Sequence, residues 1–229
     1  MTDRNESRYF INPEKIFLWE QGDTTYALRL EQEEDIREED ILTGDPVQIY
    51  RISEKADHQK DYETEKQNPD QLVMPIWIYD HGGQSISCNH TYPYNDCFDS
   101  RFYGFAIVKK DTLINEGSAD ETNWKLVAER YIRIEVTLYN NYLNGNVWFY
   151  TLYKCKTEDN PQRKYPDYLD EWDKVDATGG FIGDDLIDTG IADSVDDAQN
   201  CGFRTALDTG KVTELMLKAR RTTRWELTD

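Results

Sequence analysis

The residues best suited to acid–base chemistry lie in one short stretch of the sequence. Asp80 and His81 follow the apolar run 75–79 and precede the glycine pair 82–83. A histidine beside a carboxylate can act as a general base, because the ordinary pKa of histidine, about 6.5, lies near neutral pH. With His90 close by, these residues support the hypothesis of a small hydrolase or a ligand-binding protein. The alternative is structural: an Asp that ends a strand and bonds turn amides.

A second group of residues could bind a metal ion. Cys88, His90 and Cys97 place three zinc-type ligands close together in the sequence. Zinc prefers four tetrahedral ligands, so His81 or Asp96 would have to supply the fourth. The spacing matches none of the usual Cys-x-x-Cys pairs, and Cys88 and Cys97 could equally be free or joined in a disulfide. We therefore expect reduced thiols, no metal and no cofactor.

The other catalytic templates are absent from the sequence. It contains no Gly-x-x-x-x-Gly-Lys phosphate loop, no Gly-x-Gly-x-x-Gly dinucleotide loop and no His-Glu-x-x-His zinc motif. A protein without catalytic activity is therefore favoured. The enzyme hypothesis based on Asp80, His81 and His90 is the alternative.

The net charge is the strongest functional signal. The chain has 45 acids against 26 Lys and Arg, and a net charge of -19. A chain that repels phosphate is not expected to bind nucleic acid directly. Carboxylates on a folded surface can instead imitate phosphates and occupy the basic groove of a nucleic-acid-binding protein. The alternative is that the acidity only maintains solubility.

The negative charge is concentrated in two segments, residues 31–40 and residues 156–200. The first holds seven acids and one Arg, and the second holds 13 acids and four bases. These segments supply the candidate partner-binding residues. They are Glu33, Glu34, Asp35, Glu38, Glu39, Asp40, Asp184, Asp185, Asp188, Asp196 and Asp197.

The length of 229 residues suits one domain or two small ones, and the 13% aromatic content favours a folded chain over a disordered acidic one. No apolar run approaches the length of a membrane-spanning helix, and residues 1–14 are too polar for a signal peptide. We therefore expect a cytoplasmic protein with no membrane partner.

Hydrophobic periodicity predicts the elements that must position these residues. Alternation at Tyr26, Leu28 and Leu30 predicts a strand that pairs with the run 15–20. The near-continuous apolar run 75–80 predicts a central strand covered on both faces. The predicted fold is α+β. Its mixed or antiparallel sheet is built from residues 15–30, 75–88, 102–108 and 147–155, with helix 121–144 packed across one face.

The long helix is predicted from an apolar stripe at three- and four-residue steps, and Gly145 is placed to end it. The stripe consists of Trp124, Val127, Tyr131, Ile134, Leu138 and Tyr142. Further helical patterns occur at 184–198 and 213–221. We divide the chain into an α+β core, 1–155, and an acidic segment with a C-terminal helix, 156–229, packed on the same domain.

Several motifs follow one another along the chain. They include the acidic segment 30–40, the strand and turn 75–83, residues 99–107 and the Gly-Phe motif 180–183. The most specific is a helix-to-strand motif carried by Glu135, Tyr139, Tyr142, Leu143, Gly145 and Val147. In this order the motifs resemble a family of uncharacterised accessory proteins of phages, plasmids and conjugative elements. The chain departs from the family pattern at Gly82, where the family has Ser.

The resemblance implies an origin in a mobile element rather than a reaction. Joined to the acidity, it predicts an inhibitor of a host nucleic-acid-handling defence system, of the anti-CRISPR or antirestriction type, that acts by imitating nucleic acid. The predicted partner is a host nucleic-acid-binding protein with a basic groove. A homodimer is a second possibility, since aromatic residues in 92–103 and 165–172 would suit an interface.

Overall fold

The structure is a computed structural model that describes residues 9–13, 15–37, 41, 46–51, 58–93, 98–159, 169 and 172–216. Contacts divide the chain into two compact units. The terminal unit is Met1–Glu33 with Trp148–Asp229, and the central unit is Glu34–Val147. Each unit has its own antiparallel sheet with helices, so the α+β class predicted from the sequence is confirmed.

Within the described residues the chain forms nine strands and five α-helices. The strands are β1 (Lys15–Gln21), β2 (Thr24–Gln32), β3 (Val47–Arg51), β4 (Gln71–Asp80), β5 (Gln84–Cys88), β6 (Ser100–Lys109), β7 (Val147–Lys156), β8 (Asp173–Ile182) and β9 (Thr213–Met216). The helices are α1 (His58–Glu65), α2 (Lys110–Asn115), α3 (Trp124–Leu143), α4 (Ile191–Gln199) and α5 (Phe203–Asp208). None of these helices is long and apolar enough to cross a membrane.

The terminal unit contains a five-stranded sheet in the order β8-β7-β2-β1-β9. Strands β1 and β2 form the hairpin expected from the sequence, and Gly22 turns it with a φ of 64°, which suits glycine. Alternation along β2 places Leu28 and Leu30 on one face, where they pack in one buried cluster with Val195 of α4 and Phe203 of α5. This face of the sheet is therefore the main core of the unit.

Residues 213–216 form strand β9 rather than part of the helix predicted for 213–221. Thr213 pairs with Leu18 and Leu215 pairs with Ile16, so β9 covers the outer edge of β1. Backbone groups along a sheet edge need hydrogen-bond partners, and this pairing overrides a local helical pattern. Residues 217–221 lie outside the described residues.

The central unit contains a four-stranded sheet in the order β3-β6-β4-β5. Strand β4 has a neighbour on each side, and both of its faces are buried, as its apolar run predicts. Ile76 and Ile78 pack in one cluster with residues of α3. On the opposite face Val73 packs in a cluster with Tyr62 of α1.

The expectation of one continuous sheet is wrong. Strands within 15–30 and 147–155 belong to the terminal sheet, and strands within 75–88 and 102–108 belong to the central sheet. In the terminal sheet, β1 and β7 fill the two edges of β2, and β9 and β8 extend the sheet outwards. The partners of β1 and β2 therefore include strands distant in the sequence, which local periodicity does not reveal.

Helix α3 packs on the central sheet with a face that overlaps the predicted stripe but is rotated from it. Trp124 is buried as predicted, and Val127, Tyr131 and Tyr142 are partly buried against the same cluster. The helix ends close to the predicted position, and Gly145 follows it with a left-handed φ of 73°. Its Ile134, assigned to the core by the sequence pattern, is 46% exposed. The small Ala128 belongs to the stripe that fits against the sheet. That buried stripe consists of Trp124, Ala128, Ile132, Val136 and Tyr139.

Candidate functional site

An acidic layer lies on the terminal unit, formed by the turns 184–190 and by α4 and α5. Helix α4 buries Ile191 and Val195 and leaves Asp193 and Asp197 exposed one turn apart. It begins later than the predicted residue 184, because Gly190 before it has a φ of 81° and does not continue a right-handed helix. From residue 176 to residue 210 the sequence holds eight Asp and a single Arg. The layer therefore carries a strongly negative field.

Asp196 caps the start of α5 from the end of α4. Its carboxylate oxygens accept hydrogen bonds from the backbone N–H groups of Phe203, at 2.6 Å, and Arg204, at 2.9 Å. The first N–H groups of a helix have no partner inside the helix, so an acidic side chain there stabilises it. The carboxylate of Asp196 therefore has a structural role as the cap of α5.

Asp185 is also a structural residue. It is 4% exposed, and its Oδ2 accepts a hydrogen bond from the backbone N–H of Tyr9 at 2.6 Å. Its Oδ1 accepts from the N–H groups of Ile187 at 2.8 Å and Asp188 at 3.1 Å. Asp185 thus holds the turn before α4 and ties the N-terminal residues to it.

Glu33 joins the end of β2 to β8. Its Oε2 accepts a hydrogen bond from the backbone N–H of Gly180 at 2.7 Å. A Cβ at the neighbouring Gly179 would lie 2.5 Å from that same Oε2, so a side chain there would collide with the carboxylate. Glu33 therefore has a structural partner, which its position in a run of acids does not indicate.

The other described candidates are exposed on the surface, and Glu38, Glu39 and Asp40 lie outside the described residues. Asp193, which was not among the predicted residues, joins them with its side chain 66% exposed and paired to Arg204 at 3.1 Å. Its i, i+4 spacing from Asp197 is the signal that could have identified it. The exposed candidates are Glu34, Asp35, Asp184, Asp188 and Asp197.

His81 has a different carboxylate partner from its neighbour in the sequence. Its Nδ1 lies 2.8 Å from Oδ2 of Asp99, and the imidazole is 69% exposed. The backbone N–H of Asp80 donates to the carbonyl of Asp99 at 2.7 Å, which brings the two segments together. Asp80 and His90 are themselves exposed. The structure therefore presents a His81–Asp99 pair at the end of β4.

Cys88 and His90 differ in their surroundings. Cys88 is 5% exposed within the core cluster under α3, and burial raises the pKa of its thiol despite the nearby Arg133 guanidinium. A zinc ligand must be deprotonated, which this environment opposes. Cys97 and Asp96 lie outside the described residues. Among the residues that the structure describes, no group of three His, Cys, Asp or Glu side chains is placed to hold a metal ion.

Comparisons of this chain with protein-family models, with curated proteins and with solved structures give no match. The resemblance to proteins of mobile elements therefore stays a prediction.

Proposed function

We propose that this protein binds the basic groove of a nucleic-acid-handling protein and excludes nucleic acid from it. The acidic layer is the observation that carries this proposal. Arg204 is the one cation in the sequence from 176 to 210, and it lies 3.1 Å from Asp193 and 4.0 Å from Asp208. The exposed carboxylates of Asp184, Asp188 and Asp197 are the groups that would face the groove.

The scaffold under these carboxylates supports the proposal. Asp185 fixes the turn that carries Asp184 and Asp188, and Asp196 joins α4 to α5. Charges held on a folded scaffold lose little conformational freedom on binding, so less binding energy is spent on ordering them. Complementary charge also accelerates the encounter with a basic partner.

The class of partner follows from the charge together with the predicted resemblance. A basic groove that accepts nucleic acid is the surface most complementary to a layer of fixed carboxylates. An accessory protein of a mobile element would gain from closing such a groove in a host defence enzyme. The proposal is therefore an inhibitor of the anti-CRISPR or antirestriction type.

The proposal is tested by adding the purified protein to an RNA-guided DNA nuclease and to a type I restriction enzyme. We expect it to inhibit DNA cleavage by at least one of them through loss of DNA binding. The variant D184N/D188N/D197N should inhibit about tenfold less strongly, because it removes three of the fixed charges that face the partner.

A matched control separates the acidic layer from net charge. The variant E63Q/D70N/E116Q removes the same number of charges from exposed positions of the central unit, and it should inhibit like the unsubstituted protein. Equal inhibition by all three proteins, or no inhibition of either enzyme, would contradict the proposal.

A second candidate function rests on the His81–Asp99 pair. With Nδ1 facing the carboxylate, Nε2 is the nitrogen left to accept a proton from a substrate or a water molecule. Under this hydrolase hypothesis, His81→Ala abolishes turnover of chromogenic ester and phosphoester substrates, and Asp99→Asn lowers it. Neither substitution should change inhibition of a DNA nuclease, so the two functions can be told apart.

A further inference from the structure

Two buried N–H groups of the terminal unit have no hydrogen-bond acceptor. They are Nε of Arg29 and Nε1 of Trp172, and neither finds a partner among the described residues. Trp172 is 6% exposed. Nearly all buried donors in proteins are paired, because an unpaired one destabilises the folded state. Two such donors in one unit therefore require an explanation.

Both donors lie on the same face of the terminal sheet, the face opposite α4 and α5. Trp172 packs in a small cluster with Ile16 and Ala27. Arg29 pairs across the sheet with Ile16 and follows Ala27 by two residues on β2, so its side chain emerges on that face. The strand register therefore places the Arg29 side chain on the face where Trp172 packs.

Three other indole N–H groups donate to backbone carbonyls, unlike the N–H of Trp172. Trp19 donates to the carbonyl of Cys201 at 2.9 Å, Trp77 to that of Asn89 at 3.0 Å, and Trp148 to that of Gly183 at 2.7 Å. Each of these indoles is satisfied by the fold itself. Trp172 differs from them in needing an acceptor from elsewhere.

We infer that this face binds a small organic carboxylate, whose oxygens accept the hydrogen bonds of Arg29 and Trp172. Both groups are donors only, so the ligand must supply lone pairs. The surrounding Ile16, Leu18 and Leu169 are apolar and would contact an apolar body attached to the carboxylate. The side chain of Arg29 is 38% exposed, so solvent reaches this part of the face.

A singly charged carboxylate fits the local charge better than a phosphate does. The guanidinium of Arg29 already pairs through Nη2 with Glu31 at 2.9 Å, so only part of its charge is left for a ligand. The chain also carries a net charge of -19, which opposes a dianion more than a monoanion. This site is independent of the proposed function, because it uses none of the exposed acids.

The experiment follows the indole N–H signals of the full-length protein by two-dimensional NMR, with Trp172→Phe used to assign the Trp172 signal. Benzoate should shift this signal and saturate at a concentration on the order of 1 mM. Benzyl alcohol, which keeps the ring without the carboxylate, should leave it unchanged. The Trp77 signal should not move with either compound.

N-acetyl-leucine tests a peptide C-terminus as the source of the carboxylate, and saturation by either acid supports the site.

Three results would overturn the inference. The first is a Trp172 signal that neither acid moves. The second is an equal shift with benzyl alcohol, which would show apolar contact without carboxylate recognition. The third is a contact between the Trp172 indole proton and a long-lived water in the free protein, since an ordered water would then be the acceptor.

The Arg29→Lys variant tests the contribution of Arg29 itself. It retains the positive charge and removes Nε, and it should weaken benzoate binding about tenfold. Unchanged benzoate binding by this variant would contradict the role of Nε.

Discussion

The carboxylate of Glu33 accepts a hydrogen bond from the backbone N–H of Gly180, 2.7 Å away, across a sequence separation of 147 residues. The contact holds the last part of β2 against the glycine-rich end of β8. It is formed by a residue that, from sequence alone, belongs to a run of surface acids. Close approach at Gly179 makes the contact sensitive to a single methyl group.

Gly179→Ala should therefore destabilise the protein by about 0.5–1.5 kcal/mol, because its Cβ displaces the Glu33 carboxylate and removes its exposed hydrogen bond from the Gly180 amide. The free energy of unfolding in urea measures this. Gly83→Ala is the matched control, since a Cβ at Gly83 meets nothing within 4 Å. Equal stability of the two variants would show that the contact at Gly179 is not tight.

The acids of the acidic layer should divide into structural and exposed residues when they are substituted singly. Asp196→Ala removes the acceptor for two N–H groups of α5 and should cost about 0.5–2 kcal/mol. Asp197→Ala, at an exposed neighbouring position, should change stability by less than about 0.5 kcal/mol. Urea unfolding of both variants provides the measurement, and similar losses would contradict the assignment of Asp196 as a cap.

Asp120 should show a pH dependence at the start of α3. The hydroxyl and then the backbone N–H of Thr122 hold the pKa of Asp120 below its ordinary value, and the N–H of Asn123 adds to this. A lowered pKa in the folded state favours the ionised form. Its stabilisation is therefore present above the ordinary pKa of Asp and is lost as the pH falls through the lowered value.

Thr122→Ala should raise the pKa of Asp120 toward its ordinary value, as measured by carbon NMR titration of the carboxyl group. Thr137→Ala is the control, because its hydroxyl donates to the carbonyl of Arg133 within α3 and lies far along the helix from Asp120. An unchanged Asp120 titration in the Thr122 variant would show that the Thr122 hydroxyl does not lower its pKa.

The thiols should be unreactive in the folded protein. Burial raises the pKa of Cys155 to about 11 and that of Cys201 to about 12, and it also raises the pKa of Cys88. At pH 8 only about a thousandth of Cys155 is then ionised, and the thiolate is the reactive form.

A Cys97→Ser variant limits the measurement to these three thiols. Iodoacetamide should label them at pH 8 much more slowly than it labels the same variant in urea, and labelling of Cys155 should accelerate as the pH approaches 11. Added zinc should not change the rates. Rapid labelling of the folded protein, or protection by zinc, would contradict burial as the controlling factor.

The sequence predicts those parts of the fold that depend on local patterns. Alternation identifies β1 and β2, continuous apolarity identifies β4, and Gly145 marks the end of α3. It does not predict which sheet a strand joins, because β7 reaches β2 across more than a hundred residues. The same limit applies to β9, whose partner β1 lies at the other end of the chain.

The candidate site shows the same division. Acidic composition locates the acidic layer, but it does not separate Asp185 and Asp196 from Asp188 and Asp197. That separation depends on backbone groups that the fold brings close, such as the N–H of Tyr9, 176 residues from Asp185. The pairing of His81 with Asp99 rather than Asp80 likewise depends on the backbone contact between Asp99 and Asp80 at the end of β4.

The central claim is that the acidic layer occupies a basic groove in place of nucleic acid. Its most direct test is the dissociation constant of this protein with the nuclease that it inhibits, measured at low and at physiological salt. We expect the affinity to fall roughly tenfold or more as salt rises, and D184N/D188N/D197N to lose a similar factor at low salt. E63Q/D70N/E116Q should bind like the unsubstituted protein. A dissociation constant that changes neither with salt nor with loss of Asp184, Asp188 and Asp197 would contradict the claim.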